Sequence, residues 1–115
     1  MKDMTTLTRG QIGRTQGLNT TVKSATGPWR AFAPTWDMVM EWKKGALSQE
    51  AYTAQYQAIL QEIPSPIWDE LAALDQATLL CYCQDGWFCH THLIIEYAIA
   101  QWPDRFQDGR SGTTD

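Results

Sequence analysis

All three cysteines and both histidines of this chain fall in one short stretch, Cys81 to His92, within LLCYCQDGWFCHTHLIIE. These residue types support three chemistries there. The first is anion capture: the backbone N–H groups that open a helix attract phosphate, and His90 adds a hydrogen bond to it. The second is nucleophilic catalysis, with Cys83 or Cys89 as the nucleophile and His90 as its base. The third is zinc ligation by Cys83, Cys89, His90 and His92. The spacing weighs against zinc, because C-x5-C-H-x-H is not a usual finger spacing and adjacent Cys89 and His90 rarely hold one ion together. Catalysis of the phosphatase or sulfur-transfer type lacks its cation: in a C-x5-R loop counted from Cys83, Cys89 stands where the Arg belongs. Capture of a ligand is therefore the favoured reading.

The elements that position these residues follow from periodicity. Ala77 to Cys83 is a nearly continuous apolar run, the pattern of a central strand. Asp85-Gly86 breaks it. Leu93, Ile94, Tyr97 and Ala98 recur at helical spacing, which predicts a helix from about Cys89 to Gln101. Cys81 and Cys83 share one side of the strand; Cys81 reads as a small buried hydrophobe and Cys83 as able to reach the crevice. His90 and His92 cannot share a helix face, since residues two apart diverge. In an open α/β sheet, ligands sit beyond the carboxyl ends of strands. That crevice is expected to hold Gln84, Asp85, Gly86, Trp87, Cys89, His90 and His92. Lys23 and Ser24, near the end of a second strand over Leu18 to Ala25, add a charge and a hydroxyl. Trp36 and Trp87 offer flat faces for a ring.

Elsewhere, Thr5 to Thr8 is a β-favouring patch, read as an edge strand or an oligomer contact. Thr35 is the N-cap of a first helix whose inner stripe is Trp36, Val39, Met40 and the stem of Lys43, and Gly45 stops it. Ser48 caps a second helix with Tyr52, Tyr56, Ile59 and Leu60 on its apolar face. Pro64-Ser65-Pro66 breaks the chain before a third helix over about 66 to 74. Strands alternating with helices predict an α/β fold: a small Rossmann-like three-layer domain, its short, mostly parallel sheet flanked by helices. Only three strands are visible. Either a fourth lies in Gly27 to Ala33, or a second copy covers an edge, with Leu7 and the Trp29–Phe32 segment at the contact. The domain spans residues 1–103, and 104–115 reads as a polar, mobile tail.

The segment LLCYCQDGWFCHTHLIIEYA resembles the signature of the DUF488 family: a hydrophobic strand ending in Cys, a Gly-containing loop, then Cys-His-Arg-His and an apolar helix. APTWDMVMEWKKGALSQEAYTAQY is similar to the family's middle helices and TVKSA to its early strand, so the likeness covers about Leu18 to Gln101. Thr91 stands where the family usually has Arg. The resemblance implies a small α/β fold and no settled activity.

The totals narrow the function further. A length of 115 residues with 43% hydrophobic and 19% charged residues suits one packed domain. A net charge of −4 argues against general binding to duplex nucleic acid, which needs a basic face. No signal-like or membrane-spanning stretch is visible, and three cysteines cannot all pair within one chain, so a cytoplasmic location with reduced thiols is expected. The sequence reading is thus capture of a phosphorylated, nucleotide-derived small molecule, with no cofactor implied. Its setting would be that of a homo-oligomeric viral or mobile-element accessory protein countering host nucleotide signalling. A small Cys/His-dependent enzyme is the alternative, and a zinc-binding structural or interaction module the second alternative.

Overall fold

The computed structural model describes residues 4–82 and 88–110. Four strands form one sheet: β1 (Thr5–Gln11), β2 (Leu18–Asn19), β3 (Gln76–Cys81) and β4 (Phe106–Asp108). Their order is β2-β3-β1-β4 and every pairing is parallel. Between β2 and β3 come a 3₁₀ helix (Gly27–Phe32), α1 (Trp36–Lys43), α2 (Gln49–Gln61) and α3 (Ser65–Ala72); α4 (His90–Gln101) links β3 to β4. The α/β class and the parallel sheet are those expected from the alternation of elements. Among the described residues no helix is long and apolar enough to cross a membrane.

β1 is an interior strand, which corrects its reading as an edge or an oligomer contact. Its Thr residues favour extended backbone, and Thr5 and Leu7 are fully buried. Thr6 to Gln11 pair with Gln76 to Cys81 on one side, and Thr5 to Leu7 pair with Phe106 to Asp108 on the other. The fourth strand therefore lies at 106–108 and not in Gly27 to Ala33, where Pro28 and a turn-rich sequence give a 3₁₀ helix. This also corrects the tail: residues 106–108 belong to the sheet because Phe106 is 1% exposed in the core. Gly109 N donates to Leu7 O, and a Cβ on Gly109 would meet Thr6 Cγ2 at 2.3 Å, so the chain runs flush against β1 there. Leu7 and Phe32 are 0% exposed within the domain's own core, which removes them as oligomer contacts.

The register places Leu7, Ala77, Leu79 and Phe106 on one face of the sheet. Against this face pack Tyr52, Tyr56 and Leu60 of α2, Trp68 and Leu71 of α3, and Leu93, Ile94, Ile95 and Ala98 of α4. Phe32 locks the 3₁₀ helix in, meeting Trp68 edge-on at 5.0 Å between centroids. Burying each of these large side chains contributes about 1.5–3 kcal/mol. The opposite face carries Thr6, Thr8 and Thr78, and Thr8 and Thr78 share a hydroxyl hydrogen bond of 2.9 Å. The loop between β1 and β2 crosses that face: the position of a Cβ on Gly10 is 2.9 Å from Thr15 Cβ.

The helix caps follow from side-chain chemistry. Thr35 Oγ1 accepts from Met38 N and Ser48 Oγ from Ala51 N, each offering an acceptor to an orphan first-turn donor. Gly45, at φ +77°, follows α1 in the left-handed conformation that glycine adopts freely. The phase of α1 differs from expectation. Met38 is its buried residue, while Trp36 is 53% and Met40 46% exposed. The strand expected over Leu18 to Ala25 stops at Asn19, because Asn19 Oδ1 accepts from both the backbone N–H and the hydroxyl of Thr21 and bends the chain.

Candidate functional site

The carboxyl ends of β2 and β3 open into a cavity of about 150 Å³. Trp36, Val39 and Trp42 of α1, Tyr52 of α2 and Phe88 build apolar walls. The aromatic wall is continuous: Trp42 lies 5.0 Å from Phe88 and 5.7 Å from Tyr52, and Tyr52 lies 5.4 Å from Phe88. Lys23 and Lys43 are exposed members of the lining, and Tyr82 stands beside Lys23, whose Nζ is 5.9 Å from its ring centre. Cys81, Cys89 and His90, each 5% exposed or less, line the depth of the cavity.

Of the residues singled out in the sequence, Lys23, Trp36, Cys89 and His90 line this one cavity. Ser24 sits beside it, its hydroxyl 2.9 Å from Tyr82 Oη and accepting from Asn19 Nδ2 at 2.8 Å. Cys83, Gln84, Asp85, Gly86 and Trp87 lie outside the described residues. His92 is elsewhere. It lines a separate recess with Glu96 and Arg110, and its Nδ1 accepts from Arg110 Nη1 at 3.0 Å. Burial first, then the Arg110 and Arg9 charges, lowers its pKa. Its Nε2 is buried without a hydrogen-bond partner among the described residues.

His90 opens α4, and its protonation follows from its partners. Thr20 Oγ1 donates to Leu80 O, so toward His90 it can only accept. His90 Nε2, 2.9 Å from that oxygen and 3.0 Å from Thr20 O, therefore carries the proton and donates. The ring's bare Nδ1 lies 3.5 Å from Cys89 Sγ. Burial lowers the His90 pKa to about 4, opposed by Cys81 and the Thr20 backbone and aided by Arg9. His90 is thus a neutral imidazole whose single N–H is held by the protein. This differs from the expected donor to a phosphate. Cys89, His90 and His92 also do not converge: among the described residues no group of three His, Cys, Asp or Glu side chains could hold a metal ion.

Arg9 was not legible as a site residue. It lies near the carboxyl end of β1, directly beside Leu79 of β3. Its Nη2 donates to Cys81 Sγ at 2.9 Å and its Nε to Thr91 Oγ1 at 3.2 Å. Thr91 is fully buried. So at the position where the resemblance leads one to expect Arg, a hydroxyl receives a guanidinium that comes from β1. Cys89 Sγ in turn donates to Cys81 Sγ at 2.7 Å. The pairing register, with Arg9 beside Leu79 and Gln11 beside Cys81, puts the arginine on the side-chain face of Cys81. The only sequence signal was a charge within a Thr-rich, strand-favouring run.

A parallel sheet with helices between its strands and a cavity at its carboxyl edge defines a small Rossmann-like α/β domain. Residues 11–102 match the family model DUF488-N3a, described as the active DUF488-N3 subclade, and the chain belongs to the DUF488 family. No curated protein and no solved structure matches it.

Proposed function

We propose that this domain captures a ring-containing, phosphorylated small molecule of nucleotide type in the cavity between α1 and the ends of β2 and β3. The observation that carries the reading is the cavity's composition: a continuous aromatic wall with two exposed lysines in the same lining. Aromatic faces stack on a base, and Lys23 and Lys43 supply positive charge to a phosphate without requiring a basic protein surface. The net charge of −4 keeps duplex nucleic acid out of this reading.

Trp36 gives the test, because at 53% exposure its truncation leaves the core intact. Trp36→Ala should weaken binding of the best ligand in a panel of nucleotides and cyclic nucleotides by about 1–3 kcal/mol, the loss typical of one base-stacking partner. Calorimetry reads the affinity. Chromatography of the recovered ligand reads its fate. The reading fails if no member of the panel binds, or if Trp36→Ala leaves the affinity unchanged.

A second reading, turnover of the ligand by a cysteine, is favoured by the contact of Arg9 with Cys81, since an adjacent cation activates a thiol. It also agrees with the description of the matched subclade as active. Recovery of a cleaved ligand would decide for it.

A further inference from the structure

The sulfur of Cys81, read from sequence as a small buried hydrophobe, has neighbours that change its chemistry. Arg9 Nη2 donates to it at 2.9 Å, Cys89 Sγ donates to it at 2.7 Å, and Thr91 Oγ1 lies at 4.0 Å. Two donors, one of them cationic, stabilise sulfur as thiolate. Cys81 and Cys89 both belong to the cavity lining, so a small oxidant in the cavity comes beside them. We propose that Cys81 and Cys89 form a redox-active dithiol, in which Arg9 holds Cys81 as the attacking thiolate and Cys89 is the resolving thiol. The oxidant is hydrogen peroxide.

The reaction is a two-electron oxidation. The Cys81 thiolate attacks one oxygen of the peroxide; an S–O bond forms, the O–O bond breaks, and the leaving hydroxide takes a proton to become water. The Cys89 sulfur then attacks Cys81 Sγ. The S–S bond forms, the S–O bond breaks, and the departing hydroxide leaves as water with the Cys89 proton. Two thiols are oxidised and the peroxide is reduced to two waters. His90 Nδ1, 3.5 Å from Cys89 Sγ and unprotonated, is close enough to relay that proton. The two sulfurs are already in direct contact, so they can close to the disulfide length of about 2.05 Å. They sit at the end of β3 and the N-cap of α4, so the closure joins the strand to the helix that follows it.

The test uses ligand-free full-length protein, so its outcome is independent of the nucleotide reading. Cys83→Ser serves as the background, leaving two cysteines. After hydrogen peroxide and alkylation, mass spectrometry should show a loss of about 2 Da and a Cys81–Cys89-linked peptide, both reversed by a dithiol reductant. In the further variant Cys89→Ser, a sulfenic-acid trap should label Cys81. Arg9→Met should slow the oxidation by about tenfold or more, the effect of raising a thiol pKa by one step, and Arg9→Lys should restore most of the rate. Separate oxidation of the two cysteines without a link overturns the proposal, as does trap on no cysteine in Cys89→Ser. An unchanged rate in a folded Arg9→Met variant removes the role of Arg9. Should Arg9→Met not fold, Arg9→Lys and the Cys89→Ser trap still decide.

Discussion

Replacing His90 by glutamine isolates the acid sensitivity that burial of a neutral imidazole builds into this fold. Burial lowers the His90 pKa to about 4, against about 6.5 in an unfolded chain. Above about pH 6.5 both states hold the neutral ring and its contribution to stability is complete. Between about pH 6.5 and 4 only the unfolded chain takes up the proton, so stability falls as acid is added. That gap corresponds to on the order of 3 kcal/mol, lost across the window and constant below it. A glutamine amide cannot titrate there, and it can still donate toward Thr20 O. Urea unfolding of the wild type and His90→Gln from about pH 7.5 to about pH 4 gives the difference in stability, in which the carboxylates and His92 cancel. The wild type should lose on the order of 3 kcal/mol more than His90→Gln across the series. A difference that stays flat with pH, or a histidine NMR titration placing His90 near the ordinary value of about 6.5, refutes the argument.

Two further expectations concern the sheet and metal. Phe106→Ala should cost about 3–5 kcal/mol in chemical denaturation, because the ring is 1% exposed in the core and lies 6.1 Å from Trp102 and 6.5 Å from Trp68; a loss under about 1 kcal/mol would mean that β4 is not anchored there. Treatment with a metal chelator should leave the melting temperature unchanged, since Cys89, His90 and His92 do not converge; a drop together with stoichiometric zinc in the untreated protein would refute this.

What the sequence disclosed depends on how strongly each local signal was set by packing. The apolar run of β3 has no competing reading, and Thr35, Gly45 and Ser48 act through their own side chains or backbone, so these features were legible. β4 was hidden because one buried residue, Phe106, holds a strand whose other members are polar and exposed. α1 was misphased because Trp36 and Met40 look like core, whereas Trp36 lines a cavity that only the fold creates. Arg9 and Cys81 meet across two strands with residues 12–75 between them in the chain, and no spacing rule can show such a meeting. His90 stands out by type and place, but its partner Thr20 belongs to a different strand end, so which nitrogen carries the proton could not be read.

The position of β1 between β3 and β4 has a consequence for synthesis. β1 precedes both of its neighbours in the chain: Thr6 pairs with Gln76 and with Gln107. On the ribosome, β1 therefore emerges with two open edges and keeps one of them until residues 106–108 have left the exit tunnel. Pairings so distant in sequence slow folding, and an unpaired strand edge is a template for other chains. A nascent chain halted between α4 and β4 would expose the Thr5–Leu7 edge after the rest of the core had formed. Stalled or truncated products should thus be the aggregation-prone species of this protein, while the completed chain closes that edge with the three residues of β4.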